Sequence, residues 1–202
     1  MRNAAACAFC DQRSEALSPL AVKGTHDSLG GLSQMEIDVI HRIVRDSGRL
    51  SENWVRGCLA EGLSEDEFVE IVSIICIVMV IDAFAFGVGV DPFSLPEPED
   101  GKPTGYSSPG AGDHDAWIKY VQPQDAVPED GDLYEPPFIP PVIMALSLVP
   151  DAKRAYCELA ERHYLPTSYI GRPDTDVDIR AINRVQIEIV ATRVSSLHQC
   201  LY

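Results

Sequence analysis

The sequence predicts an all-α fold of about six or seven helices, with a long acidic, proline-rich linker between two helical halves. Three observations carry this. Ser33-Gln-Met-Glu36 and Ser64-Glu-Asp-Glu67 are capping boxes, each opening an apolar run of helical length. No stretch alternates apolar and polar residues as a half-buried strand does. Glycine and proline fall at the ends of the apolar runs, where they stop helices.

Residues 1–18 are alanine-rich and have no proline, which predicts a helix. Cys7-Ala-Phe-Cys10 lies in it, so the two sulfurs fall on nearly one face. At a helix N-terminus the partial positive charge would favour a thiolate. Pro19, Gly24, Gly30 and Gly31 make residues 19–32 a loop. Ser33 then opens a helix with Met35, Ile37, Val39, Ile40, Ile43 and Val44, ending near Asp46-Ser47-Gly48. A short helix starts at Ser51 and stops at Gly62. Ser64 opens the longest apolar helix, to about Phe86, closed by Gly87, Gly89 and Asp91-Pro92. Ile71 to Ile81 is β-branched enough to resemble a strand, but its length and cap predict a helix buried on most sides.

Residues 91–137 hold most of the prolines and many acidic residues, and form a linker or strap with little regular structure. Trp117, Ile118, Tyr120 and Val121 are its apolar cluster and would pin it to a core or a neighbouring subunit. Pro140-Pro141 opens a helix to Leu148, and Pro150-Asp151 restarts one through Tyr164 with Ala155, Tyr156, Leu159 and Ala160 on its apolar stripe. After a loop over 165–177, Asp178 is expected to cap a last helix carrying Ile179, Ile182, Val185, Ile187, Ile189, Val190 and Val194. The organisation is thus a helical half over 1–90, a strap over 91–137 and a helical half over 138–202.

Composition narrows the function. With 16 basic against 31 acidic residues the net charge is −15, which argues against nucleic acid or an anionic membrane as a partner. The apolar run Val69 to Val90 carries Glu70 and Asp82, so a buried helix is expected rather than a membrane span. The N-terminus lacks the apolar core of a secretory signal, and a cytoplasmic protein with reduced thiols is expected. Of six cysteines, Cys58, Cys76 and Cys157 read as buried or half-buried thiols, which leaves Cys7, Cys10 and Cys200. His26, His41, His114 and His163 read as ordinary surface or loop residues. There is no glycine-rich phosphate loop, HExxH or GxSxG, and no cofactor or metal is expected.

Two segments carry a family resemblance. Glu188-Ile-Val-Ala-Thr-Arg-Val-Ser-Ser-Leu-His-Gln-Cys200 puts a glutamate twelve positions before a cysteine. Gly62-Leu-Ser-Glu-Asp-Glu-Phe-Val-Glu-Ile-Val leads into the long apolar helix and Gly87-Val-Gly-Val90. Both resemble the AhpD-like (alkylhydroperoxidase and carboxymuconolactone decarboxylase) family of all-helical proteins, in whose peroxidase branch a glutamate precedes a CxxC and a histidine follows it. The order of the halves is reversed here. The resemblance therefore implies a chain that is permuted, truncated, or ended at a selenocysteine codon.

What the resemblance implies about function is a thiol-dependent peroxidase or disulfide oxidoreductase, with a peroxide as substrate and a dithiol as electron donor. Its site would draw on Cys7, Cys10, Cys200, Glu188 and His198, with the two chain ends meeting. At the N-terminal CxxC, Ser14 stands where the family has its histidine. Family members bury apolar faces between subunits, which implies a homo-oligomer. The alternatives are a decarboxylase-type enzyme on the same scaffold and a non-catalytic helical oligomer.

Overall fold

A computed structural model describes residues 1–13, 23–97, 99–134, 139–170, 172 and 174–197. The fold is all-α: among the described residues 54% are helical against 2% in strands. The helices are α1 (Arg2–Ala5), α2 (Ala8–Arg13), α3 (Gln34–Asp46), α4 (Glu52–Ala60), α5 (Glu65–Val88), α6 (Pro141–Met144), α7 (Pro150–His163), α8 (Thr167–Ile170) and α9 (Arg184–Leu197). Two-residue strands β1 (Ala111–Gly112) and β2 (Tyr120–Val121) pair antiparallel within the strap.

Both expected capping boxes form. The Ser33 hydroxyl accepts from the Glu36 amide and Ser64 accepts from Glu67, with each glutamate reaching back to the cap amide. At the far end of α5, Gly89 turns left-handed at φ 74°, so its amide closes onto the last carbonyls of the helix.

Helix α5 is the axis of the molecule. One side of its N-terminal half packs with Ala4, Val39, Ile40, Val55, Cys58 and Leu63 through Phe68, Ile71 and Ile75. The other side meets Leu146, Leu148 and Val149 through Val69. Ser73 donates to the Ala152 carbonyl at 3.1 Å and draws α7 close. Arg2 holds Asp82 through two hydrogen bonds of 2.8 Å, which ties α1 along α5.

The expectation that α5 is buried on most sides is corrected. Only 17% of its most apolar window is buried, and Val80, Phe84, Phe86 and Val88 face outward. Helix α7 runs along α5 from Ser73 to Phe84, whose ring meets His163 edge-on at 5.5 Å, and Arg2 reaches Asp82, but among the described residues nothing covers the outward side chains. By length and composition α5 could cross a membrane, and it is the one helix among the described residues that could.

Three further elements differ from expectation. The N-terminal helix breaks at Ala6, which leaves the helical region at φ −104°, ψ 5°, so Cys7 and Cys10 follow a turn. Helix α6 stops at Met144, short of the expected Leu148; Ser147 and Val149 bond back to Met144 and Leu146 in turns, and Val149, ahead of Pro150, is extended. The last helix starts at Arg184. Its box is Asn183 and Gln186, whose side chains bond each other's amides at 3.0 Å, while Asp178 accepts from Tyr169 instead.

The strap has little regular structure, yet it is ordered by side chains. Asp130 is fully buried and accepts from the Tyr106 and Ser108 hydroxyls at 2.8 Å and from the Val127 amide at 3.0 Å. The Ser108 amide donates to the Leu148 carbonyl, and the Ser147 hydroxyl accepts from Val121. Ile118 packs against both apolar clusters of α5, and Val121 is buried.

Candidate functional site

The chemistry-bearing residues gather under the N-terminal turn. Cys7 starts α2, its carbonyl accepting from the Asp11 amide, and Cys10 follows one turn later. That spacing puts both sulfurs on one side of a short helix. Helix α3 presents His41 from its buried face, beside Val39, Ile40 and Arg42. The coil leading into α3 supplies His26. It is anchored by Lys23 on Glu61 and by the Gln34 amide side chain donating to the Gly24 carbonyl at 3.1 Å.

All four side chains are buried, and one ligand-type atom from each lies within 4.8 Å of the others. Cys10 Sγ is 3.3 Å from His26 Nδ1 and 3.2 Å from His41 Nδ1. His41 Nε2 lies 2.9 Å from the Asp27 carbonyl. A carbonyl only accepts, so Nε2 of His41 carries the proton and Nδ1 turns its lone pair to the sulfur. His26 Nε2 lies 3.4 Å from an Asp38 carboxylate oxygen, which orients that ring the same way. Cys7 Sγ accepts from the Asp27 amide at 3.5 Å.

The surroundings are tightly packed. The two imidazoles lie 4.3 Å apart, and the Phe9 ring meets His26 edge-on at 5.0 Å. Phe9 leans so closely over Gly24 that an added Cβ would meet its ring tip and the ring would have to shift. Burial, with the neighbouring Cys7 thiol, pushes Cys10 up to about 12. Burial also lowers His41 below its ordinary value, although the Asp27 carbonyl opposes this. Burial raises the Asp38 carboxyl. Without a further positive charge, the Cys10 thiol and His41 are therefore neutral around pH 7. On the Asp27 and His41 side lies a cavity of about 380 Å³, lined also by Leu29, Ile40, Ile74 and Leu95.

The structure thus brings Cys7 and Cys10 together and adds two partners that the sequence did not single out. His26 and His41, expected to be ordinary surface or loop residues, are 8% and 2% exposed. The correction has a physical cause: the buried face of α3 includes polar positions, and the coil before it folds inward over them. The spacing Cys7, Cys10, His26, His41 does not follow the short His-to-His interval of common zinc motifs, so it gave no signal. Glu188 is not among the groups gathered there. It accepts from the Tyr164 hydroxyl at 2.9 Å and faces Arg184 at 2.7 Å. Cys200 and His198 lie outside the described residues.

Comparison of the chain with family models, curated proteins and solved structures finds no match.

Proposed function

We propose that the chain is a thiol-dependent oxidoreductase of the alkylhydroperoxidase type, acting through Cys7 and Cys10. The observation that carries the reading is the pair Cys10 and His41, a thiol 3.2 Å from an imidazole Nδ1 whose ring the Asp27 carbonyl orients, beside a largely apolar cavity suited to an organic hydroperoxide. His26, oriented by Asp38, is a second base at the same sulfur.

In the reaction, His41 Nδ1 takes the Cys10 proton and the thiolate attacks one peroxide oxygen. An S–O bond forms and the O–O bond breaks, and the departing alkoxide takes the proton from His41 to leave as an alcohol. The Cys7 thiol then attacks the Cys10 sulfenic acid, forming the disulfide and releasing water. A dithiol donor restores both thiols by exchange. Because both sulfurs are buried, the peroxide reaches them when the N-terminal turn lifts.

The test is turnover of an organic hydroperoxide by the reduced chain with a dithiol donor. Cys10→Ser is expected to abolish it, and His41→Gln to slow it about a hundredfold. Turnover that survives in the Cys7→Ser/Cys10→Ser double variant would sink the reading.

A second reading, a non-catalytic helical protein in which the cluster is structural, is favoured by the burial of the two sulfurs, 0% and 5% exposed. Both readings include self-association, supported by the uncovered apolar side chains of α5. Val80→Glu/Phe86→Glu is expected to shift the chain to monomer in sedimentation equilibrium. A wild-type chain that is already monomeric would exclude association through this face.

A further inference from the structure

We propose that Cys7, Cys10, His26 and His41 form a closed Cys2His2 site for a zinc-class divalent cation, which clips the N-terminal turn onto α3. The inference stands on the reduced side chains alone and does not depend on peroxide turnover.

The donor set is the first argument. Two sulfurs and two imidazole nitrogens suit a tetrahedral borderline cation such as Zn²⁺, with bonds of about 2.3 Å to sulfur and about 2.0 Å to nitrogen. Around such a centre, neighbouring sulfur and nitrogen ligands stand roughly 3.5 Å apart by those bond lengths. The two sulfur-to-Nδ1 distances, 3.3 and 3.2 Å, are close to that edge, and all four atoms fit within 4.8 Å.

The orientation of the rings is the second. Each histidine turns Nδ1 inward and offers Nε2 to an oxygen, the Asp27 carbonyl for His41 and the Asp38 carboxylate for His26. Metal-bound histidines carry this outer partner, which fixes the tautomer and strengthens the ligand. Two Nδ1 atoms converge on one sulfur, and a thiol has one proton at most to share between them. A cation at the centre satisfies both lone pairs and both sulfurs together. The Asp27 amide on Cys7 Sγ suits a thiolate in the same way.

The third argument is mechanical. Helices of four and six residues are far below the length that is stable in isolation. The four ligands come from this turn, from the following coil and from α3, so one ion joins three segments. Binding releases one proton from each thiol, and the two thiolates then balance a divalent charge in a buried place. All four positions are filled by protein, which marks a structural site and not a hydrolytic one.

The experiment uses the full chain, reduced and freed of metal with a chelator in the absence of oxygen, then titrated with Zn²⁺ and separately with Co²⁺. One ion per chain is expected. The Co²⁺ form should show the visible absorption of a tetrahedral centre together with thiolate charge transfer. At the zinc edge, X-ray absorption of the wild-type chain should give a mixed sulfur and nitrogen shell at about 2.3 and 2.0 Å. Cys10→Ser and Cys7→Ser should each weaken binding at least tenfold, while His163→Ala, an exposed imidazole, should not change it. No stoichiometric binding, a shell without sulfur, or binding unchanged in both cysteine variants would overturn the proposal. The wild-type absorption measurement decides even where a variant does not fold. Turnover by a chain that binds no metal would overturn this site and leave the redox reading intact. Metal binding by a chain with no turnover would support the site and remove the redox reading.

Discussion

Replacing Asp46 with alanine is expected to lower the unfolding free energy by about 3 kcal/mol, the range for stranding one charge of a buried pair. Arg42 is 1% exposed and stands at 3.0 Å from Asp46, one helical turn further along α3. The contact is ionic rather than a well-aligned hydrogen bond, since neither Arg42 Nη1 nor Asp46 Oδ2 has a hydrogen bond of good geometry. Arg42 Nη2 donates to the Arg49 carbonyl at 2.8 Å, and its guanidinium lies over the Trp54 ring at 5.9 Å. Asp46 also holds Arg49 at 2.6 Å. Burial lowers the Arg42 pKa from its ordinary value while Asp46 opposes the shift, so without Asp46 a guanidinium remains in the core with no counter-charge beside it. Urea unfolding of Asp46→Ala measures the loss. A change below about 1 kcal/mol, the range of surface pairs, would show that solvent reaches Arg42. Because His41 precedes Arg42 on the same buried face, the variant should also loosen the site.

That buried face shows what the sequence made legible and what it hid. The two serine capping boxes and the glycine stop after α5 are local chemistry, fixed by a few neighbouring residues, and each formed as read. The Asn183 and Gln186 box obeys the same rule but was passed over for Asp178, which Tyr169 engages. The burial of α5 could not be read from its composition. An apolar helix reports only that it tolerates burial, and here 17% of its most apolar window is buried. The site is the clearest case. The CxxC marks two sulfurs, but His26 and His41 reach them only through the folding of the coil before α3, and no local rule encodes that approach. Glu188 was legible as a spacing from Cys200, and its partner Arg184 is a local neighbour one turn away on α9, whereas Tyr164 reaches it only through the fold.

The strap yields the second large effect. Asp130→Ala is expected to cost about 3 kcal/mol, because three hydrogen bonds to a buried carboxylate vanish and two hydroxyls lose their acceptor. Arg154 also donates to the Asp130 carbonyl and Lys153 to that of Leu133, so this turn is what fastens the strap to α7. Burial alone would raise the Asp130 carboxyl. The Val127 amide and the Ser108 and Tyr106 hydroxyls outweigh it and hold the group below its ordinary value. A lowered folded pKa means that the stabilisation is fully present above the unfolded value, about 3.9, and fades as the pH falls through the folded one. Wild-type stability should therefore drop below about pH 4 more steeply than that of Asp130→Asn, which cannot titrate there. Parallel pH profiles for the two chains would refute the assignment to Asp130. Tyr106→Phe and Ser108→Ala should each remove part of the same term, about 1 kcal/mol apiece. Their effects should fall short of additive with Asp130→Ala, since all three act through one carboxylate. An additive triple variant would mean that the strap is held by its apolar residues, Ile118, Val121 and Leu133, and not by the buried acid.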